Sequence, residues 1–218
     1  MKTKMKSFLI IGLGSFGHHL CRALARQKCE IMAVDRNGEA LEDVLTLVTS
    51  AKIGDCTNPE VLKDLGVKDF DLCFVCMDGN FQNSLEITSL LKELGAKKVF
   101  TKVEEDIQAK FLLRNGADQV MFPEKEIAQS LAVSESSDNI FDCIELTPDY
   151  LICEVSLKPE WVGKSLRDLN FRGAYNLSVL AVKSGDKVRP MPAADYVFRE
   201  NEHLVALGHI EDIRRLTR

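Results

Sequence analysis

Short apolar or β-branched runs alternate with longer amphipathic stretches over residues 7–133, and this alternation leaves few folds open to the chain. Residues 7–11 read as a buried strand, after which Phe16, Leu20, Ala23 and Leu24 recur at helical spacing. A second strand over 30–34 precedes a helix over 38–49. A short strand over 51–54 precedes a helix opened by Asn58 and Pro59, a capping residue followed by proline at the first helical position. A strand over 70–76 leads to a helix with Ile87, Leu90, Leu91 and Leu94 on one face; then come a strand over 97–102, a helix over 105–114, a strand over 119–121 and a helix from Pro123. Strands separated by helices pair in parallel and are covered on both faces. The predicted class is α/β, a Rossmann-type doubly wound parallel sheet.

Gly12-Leu13-Gly14-Ser15-Phe16-Gly17 directly follows the first strand and opens the first helix. A GxGxxG run is weak evidence alone, since three glycines serve a tight turn and close helix packing equally well. Between strand and helix, bare backbone amides and the helix N-terminus form a place for a phosphate. Asp35 closes the second strand 18 residues after Gly17, where a carboxylate accepts both hydroxyls of a ribose. An acidic residue there disfavours a 2′-phosphate, so NAD(H) or an adenine nucleotide is expected over NADP(H). Arg36 is either a further contact or a solvated loop arginine. Gly54-Asp55-Cys56-Thr57 and Met77-Asp78-Gly79-Asn80 follow the third and fourth strands, at carboxyl ends where open α/β sheets bind ligands. Each is also an ordinary turn and helix cap.

The pattern changes after Val133. Residues 134–139, Ser-Glu-Ser-Ser-Asp-Asn, are polar and suit a linker. Beyond them, strands are expected over 151–157, 178–183 and 203–207, a turn at Gly185-Asp186, and short helices over 163–169 and 211–216. This reads as a smaller α+β domain, giving domains 1–133 and 134–218.

Composition sets the outer limits. Net charge is −5, divided as −2 over 1–134 and −3 over 135–218, with no basic face to displace counterions from a nucleic acid. No apolar run approaches the roughly 18 residues that span a bilayer, so any membrane role needs a partner. The basic start, without a small-residue cleavage site, implies a cytoplasmic chain. Seven cysteines, scattered through apolar stretches, are expected as reduced buried thiols. Cys73 and Cys76 form CxxC within a strand, where positions three apart face opposite sides, so core packing is expected there. The four histidines have no nearby ligand constellation, and no catalytic grouping assembles from the sequence.

The order GLGSFG, AVDRN, IGDCTNPEVLKDLGV, VCMDGNFQNSLEI, GADQVMFPEKEIAQSL resembles the RCK-type regulators of the Trk and Ktr potassium transport systems. KSLRDLNFRGAYNLSVLAVKSGD, MPAADYVFRENEHLVALG and HIEDIRRL resemble the second domain of that family, so the likeness covers nearly the whole chain. The glycine motif is generic; the GDCTNPEVL element and the domain order are specific.

The resemblance implies a homo-oligomer, from dimer to a ring of commonly eight domains, docked beneath a membrane-embedded TrkH- or KtrB-like potassium translocating subunit. ATP, ADP or NAD(H) in the Rossmann cleft would bias the hinge between paired domains and gate the pore. Carried over by position, Gly12, Gly14, Ser15, Phe16 and Gly17 would meet the phosphates, Asp35 the ribose, and Asp55, Cys56, Met77 and Asp78 the base and ribose. Lys102 would approach phosphate. Glu124 matches a position associated with a divalent cation at the subunit interface, though a first-turn carboxylate also suits the helix dipole. Arg172 and Pro192 fall near a cyclic di-AMP site of some relatives. Ser15 stands where several ATP-sensing relatives carry arginine, which lowers the expectation of ATP against ADP discrimination and raises that of NAD(H). The alternative is a small NAD-dependent oxidoreductase, for which the second half offers no hydride-transfer acid or base.

Overall fold

The computed structural model describes residues 5–135, 139–147 and 149–216. These fall into two compact units, residues 1–125 and 126–218.

The first unit is a six-stranded sheet in the order β3-β2-β1-β4-β5-β6, parallel throughout. Its strands are β1 (Ser7–Ile11), β2 (Glu30–Asp35), β3 (Ser50–Ile53), β4 (Leu72–Val75), β5 (Val99–Lys102) and β6 (Gln119–Met121). Helices α1 (Ser15–Ala25), α2 (Glu39–Glu42), α3 (Pro59–Leu65), α4 (Phe81–Glu93) and α5 (Asp106–Arg114) supply the crossovers. The sheet sorts its side chains by alternation. Leu9, Ile11, Cys73 and Val75 pack on the face covered by α3 and α4, and Ile10, Phe74 and Cys76 on the face covered by α1. Cys73 and Cys76 therefore lie in different cores, as expected from their spacing. The strand order reverses between β1 and β4, the point at which doubly wound sheets leave a crevice.

The helix expected over 38–49 is only one turn long, α2, followed by turns such as Leu47 N–H to the Val44 carbonyl. Val44, Thr46, Val48 and Thr49 are β-branched and stiff in a helix. Thr49 has other work, its hydroxyl accepting the Ile31 amide.

Helix α6 (Pro123–Glu135) carries the chain from the first unit into the second, past the expected break at Val133. Of the expected linker, residues 136–138 lie outside the described residues.

The second unit is a five-stranded antiparallel sheet ordered β10-β9-β11-β8-β7. The strands are β7 (Ile140–Thr147), β8 (Tyr150–Ser156), β9 (Ser178–Ser184), β10 (Lys187–Pro190) and β11 (His203–His209), with helices α7 (Leu166–Leu169), α8 (Phe171–Tyr175) and α9 (Ile210–Leu216). Trp161, Phe171 and Phe198 are each about 2 % exposed or less and form the centre of its core. Gly185-Asp186 forms the expected turn between β9 and β10. The expectation of seven reduced thiols fails here. Cys143 and Cys153 face each other across β7 and β8 and are joined as a disulfide. Counting cysteines cannot register this, because the pairing depends on a strand, β7, that the sequence pattern did not reveal.

Candidate functional site

At the reversal point lies a cleft of about 300 Å³, floored by the ends of β1, β2 and β4. That volume is at the lower end for ligand clefts. Gly12, Gly14, Asp35, Arg36, Asp55, Cys56, Met77 and Asp78 all line it.

The glycine loop is shaped by what a side chain would strike. Gly12 holds φ +90°, and a Cβ there would stand 2.8 Å from the Cys76 carbonyl oxygen. A Cβ on Gly14 would fall on the Asp78 carboxylate. This is a cradle only bare backbone fits. Gly14 also occupies the cap position of α1 without a side-chain cap, and α1 has no acidic residue in its first turn. Helices α3 and α4 are instead capped by Asn58 and Asn80, whose side chains accept the Glu60 and Asn83 amides. The start of α1 thus lacks a side-chain cap bond of its own, with the Asp78 carboxylate close by Gly14, and a helix start without such a bond suits an anion.

Asp35 fixes this loop. One carboxylate oxygen accepts the Leu13 amide at 2.7 Å and the other the Asn37 amide at 2.8 Å. Lone pairs remain on both oxygens for ligand hydroxyls. Asp55 accepts the amide and hydroxyl of Thr57 at 3.0 and 2.7 Å, and these bonds hold its carboxyl below the ordinary carboxylate range. Cys56 is the opposite case, since burial and the neighbouring carboxylates push its thiol up to about 12.

Lys102 approaches from the end of β5. Its side chain is 5 % exposed, and Nζ lies 2.5 Å from Asp78 and 2.7 Å from Glu124. Burial opposes the charge, but hydrogen bonds to the two carboxylates outweigh it and raise the lysine pKa. Glu124 is correspondingly lowered, first by its bond from Lys102. Glu124 is thus engaged by a cation of the chain itself, and among the described residues no three His, Cys, Asp or Glu gather as a metal-holding set. Within one chain this donor set does not fit a divalent cation.

The other expected residues sit apart from the lining. Ser15 is exposed on the first turn of α1, Phe16 packs into the core beneath that helix, and Gly17 is buried. Asn37 and Asn83 line the cleft without having been singled out in the sequence. Asn37 was legible as a turn residue two positions beyond Asp35; nothing distinguishes Asn83 from a surface helix residue.

Fold and cleft together define a Rossmann-type domain with a crevice at its strand-order reversal, followed in the chain by a small antiparallel α+β domain. The chain matches the TrkA-N domain over residues 8–123 and the TrkA-C domain over 152–218, and it belongs to this TrkA-type family of RCK regulators. It is 34 % identical over 210 residues to Ktr system potassium uptake protein C of Bacillus subtilis, covering 96 % of this chain and 95 % of that one. It is 35 % identical to Ktr system potassium uptake protein A of the same organism, covering 98 % and 96 %. Among solved structures, the GsuK RCK domain superposes with a TM-score of 0.69 at 18 % identity, over 100 % of this chain and 48 % of that one. The GsuK channel bound to NAD gives 0.68 at 18 %, over 97 % and 39 %. The chain thus spans under half the length of those neighbours, and the likeness bears on fold. No helix among the described residues is long and apolar enough to cross a membrane.

Proposed function

We propose that this chain is a nucleotide-sensing regulatory subunit that controls potassium movement through a membrane-embedded TrkH- or KtrB-like partner, from the cytoplasmic side. The observation that carries this reading is the start of α1, without a side-chain cap bond, beside a carboxylate, Asp35, with lone pairs to spare. The ligand is NAD(H) or ATP/ADP. Its phosphates lie along the amides of Gly12, Gly14, Ser15, Phe16 and Gly17, its ribose on Asp35, and its base among Asp55, Cys56 and Met77, with Arg36 at the rim. Neighbours described as bound to NAD, ADP and AMP support a nucleotide in this type of cleft. Asp78 lines the base and ribose side, and Lys102, which approaches the phosphate, is shared between the Asp78 and Glu124 carboxylates.

The nucleotide domain is residues 1–133 and the second regulatory domain 134–218. Ile107, Phe111 and Leu113 on α5 are large apolar side chains left about half exposed, which supports assembly with further copies into a dimer or ring. A divalent cation at Glu124 would need ligands from a second subunit in place of Lys102.

A regulatory role is favoured over an NAD-dependent oxidoreductase by the chemistry of the lining. Asp55 is held as carboxylate and Cys56 as thiol, so neither is poised for proton transfer near neutrality. Ligand binding acts by preferring one of two assembly shapes. The test is potassium uptake in cells deprived of their own Ktr-type regulatory subunits. Uptake restored by this chain and lost with Asp35→Ala, at equal protein level, supports the reading; uptake indifferent to Asp35 overturns it.

A further inference from the structure

The chain holds its cysteine sulfurs in three ways: buried thiols, a part-buried thiol at Cys29 that donates to the Leu24 carbonyl, and one disulfide. Cys21, Cys56, Cys73 and Cys76 are buried in the first unit, and burial pushes the first three up to about 11, 12 and 12 and the last higher still. These are inert thiols. Cys143 and Cys153 alone among the described cysteines meet, directly opposite in the β7–β8 register with Cα atoms 4.2 Å apart.

The position of this bond decides what it controls. β7 is the edge of the sheet and, among the described residues, pairs only with β8. Its ladder is interrupted on both sides of the bond, with register shifts between Ile140 and Asp142 and between Glu145 and Thr147. The bond therefore rivets the regular stretch of an edge strand whose ladder is interrupted on either side of it. Because the two cysteines stand only 10 positions apart in sequence, the closed loop is small, and the effect is local to the strand rather than global. At the same residue, the Cys143 carbonyl accepts the Ser130 hydroxyl of α6 at 3.3 Å. A cavity of about 490 Å³, lined by Glu126, Gln129 and Ser130 of α6 and by Cys143, Glu145 and Leu151, opens beside Cys143, which is itself only 7 % exposed, while Cys153 is fully buried.

We propose that Cys143–Cys153 is a reversible thiol–disulfide site which sets how firmly β7, and through it α6, is held. The cavity admits a small thiol to Cys143. Its thiolate attacks the Cys143 sulfur, forming a mixed disulfide and releasing the Cys153 thiolate, which takes a proton from water. A second small thiolate then attacks the sulfur of the first, leaving as a small-molecule disulfide and freeing Cys143. Two thiols are oxidised and one protein disulfide is reduced; a small-molecule disulfide reverses both steps. In a thiol-rich compartment, where the proposed function places the chain, the bond closes under oxidative load.

The full chain is equilibrated in buffers of reduced and oxidised dithiothreitol or glutathione, trapped by alkylation and mapped by peptide mass spectrometry. Amide hydrogen exchange is followed over 123–135 and 140–156. One two-electron transition confined to the peptides bearing Cys143 and Cys153 is expected, with exchange in β7 and α6 accelerated at least severalfold on reduction and restored on reoxidation. Cys143→Ser and Cys153→Ser, if folded by circular dichroism, should fix the exchange rates whatever the buffer. Full alkylation of both cysteines under oxidising buffer overturns the proposal, as does a bond that is reduced only after unfolding. Unchanged exchange across a completed transition overturns the control of β7 and α6; these readouts come from the natural sequence and stand even if a variant fails to fold.

Discussion

In the first unit all six strands point one way, so their carboxyl ends, and the loops that follow them, gather at one rim. In the second, neighbouring strands alternate in direction, so the loops divide between two ends and polar groups also meet across the sheet. The result is visible in the charged side chains. Asp35, Asp55 and Asp78 come from three separate strand ends to one cleft. Glu154 on β8 accepts from Lys183 on β9 at 2.6 Å and lies 2.6 Å from His203 on β11, a cross-strand cluster on a sheet face. Topology thus gathers carboxylates at one rim in the first unit and spreads charged pairs across a sheet face in the second.

Trp161→Ala should break the comparison most severely. It empties the centre of the second core, at a cost of roughly 3–5 kcal/mol. Two unfolding steps are expected in calorimetry, the second unit melting first while nucleotide affinity of the first survives; loss of both together would deny that the units are independently cohesive. Gly14→Val forces a side chain onto the Asp78 carboxylate. Overpacking of this kind is worth roughly 1–3 kcal/mol, so affinity for phosphate-bearing ligands should fall about tenfold to a hundredfold. Adenosine, which lacks phosphates, should be much less affected in a parallel titration.

Lys102→Met separates ligand effects from cohesion. It leaves Asp78 and Glu124 without their shared cation. Because both carboxylates are substantially exposed, the stability loss should be about 1 kcal/mol or less by denaturant melts. The phosphate end becomes more negative, so nucleotide affinity should drop more than stability does.

The smallest effect is on pH. Burial alone would raise Glu154, but its bonds from Lys183 and His203 outweigh that and lower its pKa in the folded state. A depressed folded pKa means that stability is complete above the ordinary carboxyl value of 4.5 and declines as pH falls through the lower folded value. Acid melts should therefore show the second unit losing stability below about pH 4.5. Glu154→Gln should flatten that decline.

How much of this was written in the residue pattern also divides by unit. Strands buried on both faces are continuous apolar runs, so β1, β2 and β4 could be read from Ser7, Glu30 and Phe70 onward to within a few residues. The glycine loop, Asp35 and the two loops after β3 and β4 could be read because parallel topology dictates where strand ends go. β7 could not: only Ile140 and Cys143 turn inward, and the register shifts destroy the alternation that marks a strand. β10 is exposed along its whole length and is held by ladder hydrogen bonds to β9, which leave no trace in side-chain type. The ion pairs of Lys102 were likewise invisible, since Asp78, Lys102 and Glu124 converge only through folding.

Isothermal calorimetry of NAD⁺, NADH, ATP and ADP against the natural chain and Asp35→Ala tests the central claim most directly. Each hydrogen bond to a charged group is worth roughly 1.5–3 kcal/mol. The account predicts saturable binding of at least one of these ligands, weakened at least tenfold in Asp35→Ala. Heats indistinguishable from dilution for all four, or equal affinities in both proteins, would contradict it.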